Sequence, residues 1–229
     1  MAAVIFDLDG TLVDSRIDFA RMKRATIEEL ISCGVDRSVL AEDMTISENI
    51  RQGKRYLWGR LDPLNINEME GRVNDKLTET EMESVSTVAA FPGVDEALRR
   101  IGELDIPMAI LTRGSRRYTM RVLEVSGLDG RIGPCVCRDD HAIDEAKPNP
   151  LALDRAAAQL GKRPGDCLYI GDHPMDLKCA RAAGAMFIGV LTGSMDEAGW
   201  HRHGCDQVLV SVADLPVALG LSAHGRDDS

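Results

Sequence analysis

Residues 3–9 read AVIFDLD, an apolar run of four residues that stops abruptly at two carboxylates separated by one leucine. This pattern is typical of a buried parallel strand whose carboxyl end carries polar residues. Similar apolar runs return at 108–112, 167–172, 186–190 and 207–210. We therefore expect these runs to form strands of one sheet.

Helical patterns lie between the strand-like runs. Apolar residues hold the spacing of one helix face over about 94–104, and Pro107 bars the continuation of that helix. Two further helices are predicted over 149–160 and 175–183, and Gly184 is placed to end the second. Strands that alternate with helices in this way predict an α/β fold, a doubly wound parallel sheet covered on both faces.

Residues 16–90 interrupt this alternation, because they contain helical stripes and no convincing strand. One stripe consists of Ile66, Met69, Val73 and Leu77. The sequence FPG at 91–93 marks the return to the sheet, since Pro and Gly separate periodic segments. We expect a core domain of residues 1–15 and 91–229, with residues 16–90 inserted after the first strand as a helical cap domain.

The composition bears on partners and location. The 229 residues carry a formal net charge of -10, which argues against nucleic acid or an anionic membrane as a partner. The N-terminus lacks the features of a secretion signal, and no apolar run is long enough to span a membrane. The six cysteines are scattered without a CxxC pair, which favours reduced thiols in a cytoplasmic protein.

One short cluster raises the question of a zinc site. His201, His203 and Cys205 alternate at a spacing that could supply zinc ligands. The neighbouring Gly199 and Gly204 favour a surface loop instead. The remaining partner class is a small molecule with a metal ion, and the sequence leaves the oligomeric state open.

Polar residues follow several of the predicted strands. In open α/β sheets the carboxyl ends of the strands converge on the ligand site. The candidates are Asp7, Asp9, Thr112, Asp172 and Asp176, with Lys147 in a loop just before a helix. Four carboxylates brought so close require a cation, and a hard divalent ion such as Mg²⁺ fits oxygen ligands best.

This set of side chains has the parts that phosphoryl transfer needs. The reaction requires an in-line nucleophile, a metal and cations on the developing charge, and an acid for the leaving group. Asp7 and Asp9 can face the same ligand if the backbone between them stays extended. One of the two can attack phosphorus while the other protonates the departing alkoxide.

The same residues resemble a known family. Residues 7–15, DLDGTLVDS, resemble the first signature of the haloacid dehalogenase superfamily in its phosphatase form. Thr112 after its apolar run resembles the second signature, 147–150 (KPNP) the third, and 171–176 (GDHPMD) the fourth. The helical insertion between the first two is similar to the cap of phosphoglycolate phosphatase-like members.

The resemblance implies catalytic roles for individual residues. Asp7 would become phosphorylated, and Asp9 would act as an acid and then as a base. Thr112 and Lys147 would hold the phosphoryl oxygens. Arg113 is a further phosphate-binding candidate, and it stands where relatives often have Asn, which bears on the substrate side.

The resemblance also implies a Mg²⁺ site. The ion would bind Asp7, the Asp9 carbonyl and Asp172. Asp176 would lie beside the ion or support the lysine of the third signature. His173 follows Asp172 where relatives often have Ser, and we interpret it as a helix-entry residue.

Substrate selection is expected in residues 16–90. Arg51, Lys54 and Arg55 would share one helix face at i, i+3 and i+4 spacing and form a cationic patch. The functional interpretation assigns Arg51 and Arg55 to a second anionic group of the substrate. The alternative is a solvated helix face with partners such as Glu48.

Three other functions compete with a phosphatase of small phosphomonoesters. A signalling receiver domain uses similar acidic strand ends, but it is shorter and has no helical cap. A dehalogenase is disfavoured, because Asp9 supplies the acid that phosphate chemistry needs. A phosphomutase of the sugar-phosphate type remains open, since the sequence does not show whether water is excluded.

Overall fold

The computed structural model describes residues 1–60 and 62–221, and its main element is a sheet of six parallel strands. The described strands are β1 (Ala3–Phe6), β2 (Val13–Asp14), β3 (Ala89–Ala90), β4 (Met108–Leu111), β5 (Cys135–Val136), β6 (Cys167–Gly171), β7 (Met186–Val190) and β8 (Val208–Leu209). The strand order in the large sheet is β5-β4-β1-β6-β7-β8. All five predicted strands are confirmed, and β5 is an edge strand that the sequence did not reveal.

The described helices are α1 (Phe19–Ser32), α2 (Ile46–Leu57), α3 (Pro63–Ser84), α4 (Val94–Gly102), α5 (Arg116–Val125), α6 (Pro150–Gln159), α7 (Pro174–Ala183), α8 (Glu197–Arg202) and α9 (Leu215–Ala218). The predicted start of α6 is confirmed, because the Asn149 side chain accepts a hydrogen bond from the Leu151 amide and proline follows it. Gly184, with φ of 72°, ends α7 as predicted. In the described part of the chain, no helix combines the length and apolar character of a membrane span.

Successive residues of β1 point into two separate apolar layers. Val4 and Phe6 belong to the layer that includes α4 and α5. Ala3 and Ile5 belong to the opposite layer, with α6 and α7. All four residues are fully buried, as expected for a central strand covered on both faces. The predicted doubly wound α/β core is therefore confirmed.

Helices α1, α2 and α3 follow the first strand and pack around an apolar cluster of their own. The cluster contains Met22, Ile27, Leu30, Ile50, Leu57, Ile66, Met69, Val73 and Leu77. At the base of this helical insertion, β2 and β3 form an antiparallel ribbon that pairs Val13 with Ala90. The expectation that residues 16–90 contain no strand was therefore wrong at β3, because two residues are too short to show a period.

Side chains of the insertion reach the loops that follow the core strands. Ser47 on α2 accepts a hydrogen bond from Arg113, which comes shortly after β4. Glu81 on α3 pairs with Arg138, which comes shortly after β5. The insertion thus packs against the carboxyl edge of the sheet, where ligands bind in open α/β folds. The domain boundaries at residues 15 and 91 stay a prediction.

Candidate active site

A buried lysine joins two carboxylates at the carboxyl edge of the sheet. Lys147 donates hydrogen bonds to Asp7 Oδ1 at 2.6 Å and to Asp176 Oδ1 at 2.8 Å. The Tyr169 hydroxyl accepts from the same ammonium group at 2.9 Å and donates to Asp176 Oδ1 at 2.8 Å. These four side chains are almost completely buried, so their contacts fix one another with little help from solvent.

The Asp7 backbone extends β1, since its amide donates to the carbonyl of Ile170 in β6 at 2.8 Å. The Asp7 side chain is therefore held by the sheet itself. Asp176 is held by the first turn of α7, where its Oδ2 accepts from the His173 amide at 3.1 Å. His173 is the N-cap of that helix, in agreement with its interpretation as a helix-entry residue.

Asp172 lies in a pocket shaped by two glycines. A Cβ atom at Gly10, whose φ is +77°, would come within 2.7 Å of Asp172 Oδ2. A Cβ atom at Gly193 would approach the same oxygen to 2.0 Å. The Ser194 amide donates to Asp172 Oδ2 at 2.9 Å and its hydroxyl donates to the Asp172 carbonyl. Only glycine leaves room for this carboxylate at both positions.

Asp7, Asp172 and Asp176 together form a potential metal site. Each offers one carboxylate oxygen, and these oxygens all lie within 4.8 Å of one another. Three buried carboxylates supply the oxygen ligands that a hard divalent cation such as Mg²⁺ prefers, and the nearby lysine offsets part of their negative charge. The Asp9 carboxylate is not part of this set. Among the described residues, His201, His203 and Cys205 form no such group, and the His201 imidazole lies 3.3 Å from Asp206 Oδ1.

The charges of the buried cluster shift its protonation equilibria. Burial raises the pKa of Asp7 well above its ordinary value, against the attraction of Lys147 and with repulsion from Asp176 and Asp172. Burial and the Asp176 charge also raise the pKa of Asp172. Burial alone would lower the pKa of the Lys147 ammonium, but Asp176 and Asp7 raise it overall. Lys147 therefore stays charged while the carboxylates compete for its single positive charge.

The Asp9 carboxylate contacts a side chain of α5. The Tyr118 hydroxyl donates to Asp9 Oδ1 at 2.6 Å, and the Tyr118 side chain is fully buried. Burial raises the pKa of Asp9 to about 6, although hydrogen bonds from Tyr118 and Ser15 lower it. A carboxyl group with such a pKa can both give and accept a proton near neutral pH. Sequence reasoning did not find Tyr118.

Thr112 and Arg113 lie in the loop after β4, next to β1 in the sheet. The Thr112 side chain is buried, and its Oγ1 accepts from the Gly114 amide at 3.0 Å. The partly buried Arg113 donates to Ser47 Oγ at 2.5 Å and contacts Met175 Sδ at 3.2 Å. The Arg113 guanidinium thus lies between the helical insertion and the start of α7.

Of the cationic patch, only part is free to meet a ligand. Lys54 lies 2.6 Å from Glu70 and 3.5 Å from Asp144, so its charge is already balanced. Arg51 and Arg55 are exposed, and within residues 1–60 and 62–221 neither has a carboxylate within 4.0 Å. Burial lowers the pKa of Arg113, and the positive charges of Arg138 and, to a smaller extent, Arg51 add to that shift. Glu48, the alternative partner, instead caps α2 through the Thr45 amide.

A second buried ion pair, between Glu81 and Arg138, was not predicted. Glu81 is 1% exposed and Arg138 is 8% exposed. The Arg138 guanidinium binds both Glu81 oxygens and also donates to the Arg113 carbonyl at 3.1 Å. Glu81 Oε2 accepts from the Ser115 amide and hydroxyl at 3.2 and 2.9 Å. This pair therefore joins α3 to the loop that carries Thr112 and Arg113.

The fold and the site define a class of protein, the α/β enzymes whose acidic centre lies at the carboxyl edge of a parallel sheet. The sequence matches the family model described as haloacid dehalogenase-like hydrolase over residues 1–184. Since this match covers most of the chain, the chain belongs to the haloacid dehalogenase-like hydrolase family, as the four sequence signatures indicated. Family membership also excludes the receiver domain.

Individual relatives cover nearly the whole chain. A phosphoglycolate phosphatase from Xanthomonas campestris pv. campestris is 30% identical over 94% of this chain and 91% of its own length. A phosphoglycolate phosphatase from Chromobacterium violaceum is 29% identical over 93% of this chain and 94% of its own length. The crystal structure of a hydrolase from Pseudomonas syringae is similar with a TM-score of 0.68 and 25% identity, covering 96% of this chain and 98% of its own.

Proposed function

We propose that this chain is a Mg²⁺-dependent phosphatase that hydrolyses a small phosphomonoester through a phosphorylated Asp7. The observation that carries the proposal is the buried contact of Asp7 with Lys147 at 2.6 Å, beside Asp172 and Asp176. The phosphoglycolate phosphatases among the relatives support a phosphate ester as substrate. The proposal also includes a cytoplasmic location, which is supported by the free thiols of all six cysteines.

In this mechanism Asp7 attacks phosphorus and the P–O bond to the leaving group breaks. Lys147 and Thr112 hold the phosphoryl oxygens, and Arg113 reaches the same region from the loop after β4. Asp9 gives a proton to the departing oxygen, which leaves as an alcohol. Asp9 then accepts a proton from the water that attacks the phosphorylated Asp7, so that inorganic phosphate leaves, Asp7 returns to its carboxylate and Asp9 to its protonated form.

The metal site in the proposal consists of Asp7, Asp172 and the Asp9 carbonyl, with Asp176 beside it and bound to Lys147. When bound, Mg²⁺ neutralises charge on the phosphoryl group and offsets the repulsion among the carboxylates. Gly10 and Gly193 leave the room that the Asp172 carboxylate needs beside this site. Residues 16–90 act as the cap that excludes water and reads the leaving group.

The experiment that tests the function is a screen of phosphorylated metabolites with Mg²⁺, in which released inorganic phosphate is measured. A phosphatase releases one phosphate for each ester consumed. A phosphomutase would instead convert a sugar phosphate into its isomer and release little phosphate. Isomer formation without phosphate release, or no reaction with any ester, would overturn the proposal.

Removal of metal is expected to abolish phosphate release, and Mg²⁺ should restore it while Ca²⁺ should not. Ca²⁺ prefers more ligands at longer distances, which would misplace the Asp7 carboxylate for attack. The measurement is the rate of an aryl phosphate after chelation and titration with each ion. Asp172→Ala should raise the Mg²⁺ concentration needed for half-maximal rate, and an unchanged requirement in that variant would remove Asp172 from the site.

Substitution of the exposed Arg51 and Arg55 tests whether the helical insertion recognises a second anionic group of the substrate. Arg51→Gln and Arg55→Gln together should raise KM for a substrate with a second anionic group by roughly 10-fold or more, the effect of losing a charged hydrogen bond. KM and kcat for an uncharged aryl phosphate should change little. We expect Arg51 to contribute more than Arg55, because it lies one helical turn along α2 from Ser47, which contacts Arg113, whereas Arg55 lies two turns away.

The matched control for the arginines is Arg121→Gln, which removes an exposed charge from α5, where Arg121 pairs with Glu124. This control should leave both substrates unaffected. If the arginine variants change both substrates equally, or neither, the patch is only a solvated helix face. Substrate choice would then lie elsewhere in the cap.

A further inference from the structure

The Glu81–Arg138 pair lies where three parts of the molecule meet. Glu81 is near the end of α3, Arg138 follows β5, and the loop between them runs from Thr112 to Ser115. Arg138 also donates to Asn74 Oδ1 at 2.9 Å and to Thr78 Oγ1 at 3.1 Å. Its guanidinium is therefore bound along one face of α3 over two helical turns.

The same pair holds the backbone of the loop on both sides. The Arg138 guanidinium donates to the Arg113 carbonyl at 3.1 Å, and the Arg138 amide donates to the Gly114 carbonyl at 2.9 Å. Glu81 accepts from the Ser115 amide at 3.2 Å. Three consecutive residues of the loop thus each have one backbone group fixed by the pair.

These contacts also influence Thr112, the side chain of the loop that is proposed to bind phosphate. The Gly114 amide donates to Thr112 Oγ1 at 3.0 Å, so the position of Gly114 orients the threonine hydroxyl. Ser115 is the N-cap of α5, which carries Tyr118 and so sets the position of the Asp9 partner. A shift of the loop would therefore displace both the phosphoryl-binding hydroxyl and the donor to Asp9.

We propose that Glu81 and Arg138 are a positioning pair, which fixes the Thr112–Ser115 loop for phosphate binding and couples that geometry to the helical insertion. This inference rests on the proposed phosphatase function. Neither residue touches the reacting atoms. A surface ion pair would have little effect on the site, but a buried pair with every polar atom engaged fixes the groups around it. The packing of α3 against the Thr112–Ser115 loop therefore also arranges the phosphate-binding groups of that loop.

The test uses Arg138→Met, Glu81→Gln and the double variant of the full chain. In folded protein, each single variant should raise the inhibition constant of inorganic phosphate and KM for an aryl phosphate by roughly 10- to 100-fold, the cost of a small misplacement of a binding group. Kcat should fall less. The double variant should be no worse than the single variants, because the pair acts as one unit.

The control separates positioning from lost stability. Leu77→Ala lies one turn earlier on α3, is buried in the cluster of the insertion, and touches no part of the loop through a hydrogen bond. It should lower the thermal midpoint through a cavity and leave the phosphate inhibition constant unchanged. If Leu77→Ala weakens phosphate binding as much as Arg138→Met at the same loss of thermal midpoint, the pair is merely structural.

The outcome also distinguishes this inference from the proposed function. If the wild-type enzyme releases phosphate in a manner that depends on Asp7, and the Arg138 and Glu81 variants bind phosphate normally, only the positioning role fails. If the wild-type chain neither releases phosphate nor is inhibited by it, the proposed function fails first. Additive effects in the double variant would overturn the view that the two residues act as one unit.

Discussion

Asp7→Asn is expected to lower phosphate release by roughly four to six orders of magnitude, as loss of a nucleophile does in other enzymes with covalent catalysis. The amide has the shape of the carboxylate but lacks the charge that attacks phosphorus. The fold should survive. The Asp7 amide still extends β1 through Ile170, and Lys147 keeps Asp176 as a charged partner.

The measurement for Asp7→Asn is the single-turnover rate with an aryl phosphate, combined with the thermal midpoint of the variant. Asp14→Asn is the matched control, since it makes the same change a few residues along the first signature. Asp14 pairs with Arg16 at 3.1 Å and is partly exposed, so its loss should leave the rate close to that of the wild type. Ordinary turnover by folded Asp7→Asn would sink the proposed mechanism.

The sequence placed much of the site because parallel strands share one edge. In the sheet, β1 lies between β4 and β6, so Asp7, Thr112 and Asp172 follow adjacent strands. The apolar runs that end just before these residues, together with the rule that ligands bind at the carboxyl ends of parallel strands, led to the prediction that all three lie at one edge of the sheet. Three of the described strands of two residues were missed, because a pattern with period two needs a longer run to be seen; β8 was predicted because the apolar run around it extends to Val210. The edge strand β5 and the ribbon of β2 and β3 are such elements.

The Glu81–Arg138 pair shows what local patterns do not contain. The buried stripe of α3 runs through Val73 and Leu77, and its next position at i+4 is Glu81. A carboxylate on the buried face of a helix indicates a polar partner inside the protein. The identity of that partner, Arg138, depends on which core loop faces α3. Sequence spacing does not supply that long-range information.

For the two tyrosines of the site, Tyr169 and Tyr118, the sequence contains a partial signal. Tyr169 lies in the apolar run of β6, and a buried tyrosine generally needs a partner for its hydroxyl. The pattern therefore signals an internal hydrogen bond without naming Lys147 and Asp176 as its members. Tyr118 gives the same signal on α5, and its contact with Asp9 spans 109 residues of sequence. Only the packing of helices on the sheet determines these pairs.

The loss of rate in Asp9→Asn is expected to depend on the leaving group of the substrate. Asparagine Oδ1 can still accept the Tyr118 hydrogen bond, so the local geometry should persist. The amide cannot give up a proton to a departing alkoxide. For an alkyl phosphate the rate should fall by roughly 10²- to 10⁴-fold, the usual contribution of general acid catalysis. An aryl phosphate with a good leaving group needs little protonation, so its first step should suffer much less.

The second step provides the sharper test of Asp9. Hydrolysis of the phosphorylated Asp7 needs a base for the attacking water, and Asp9→Asn removes that base for every substrate alike. With the aryl ester, Asp9→Asn should therefore release a burst of one equivalent of phenol per enzyme, followed by a slow steady rate. Asp7→Asn should give no burst, which distinguishes loss of the nucleophile from loss of the proton carrier.

Rapid-quench measurement of phenol and of phosphate bound to the protein separates the two steps. In Asp9→Asn the phosphorylated protein should accumulate, whereas in Asp14→Asn both products should appear together, as in the wild type. Equal loss of rate for alkyl and aryl esters, without any burst, would show that Asp9 does not carry the proton. The hydrogen bond from Tyr118 would then serve only to hold the Asp9 side chain in place within the fold.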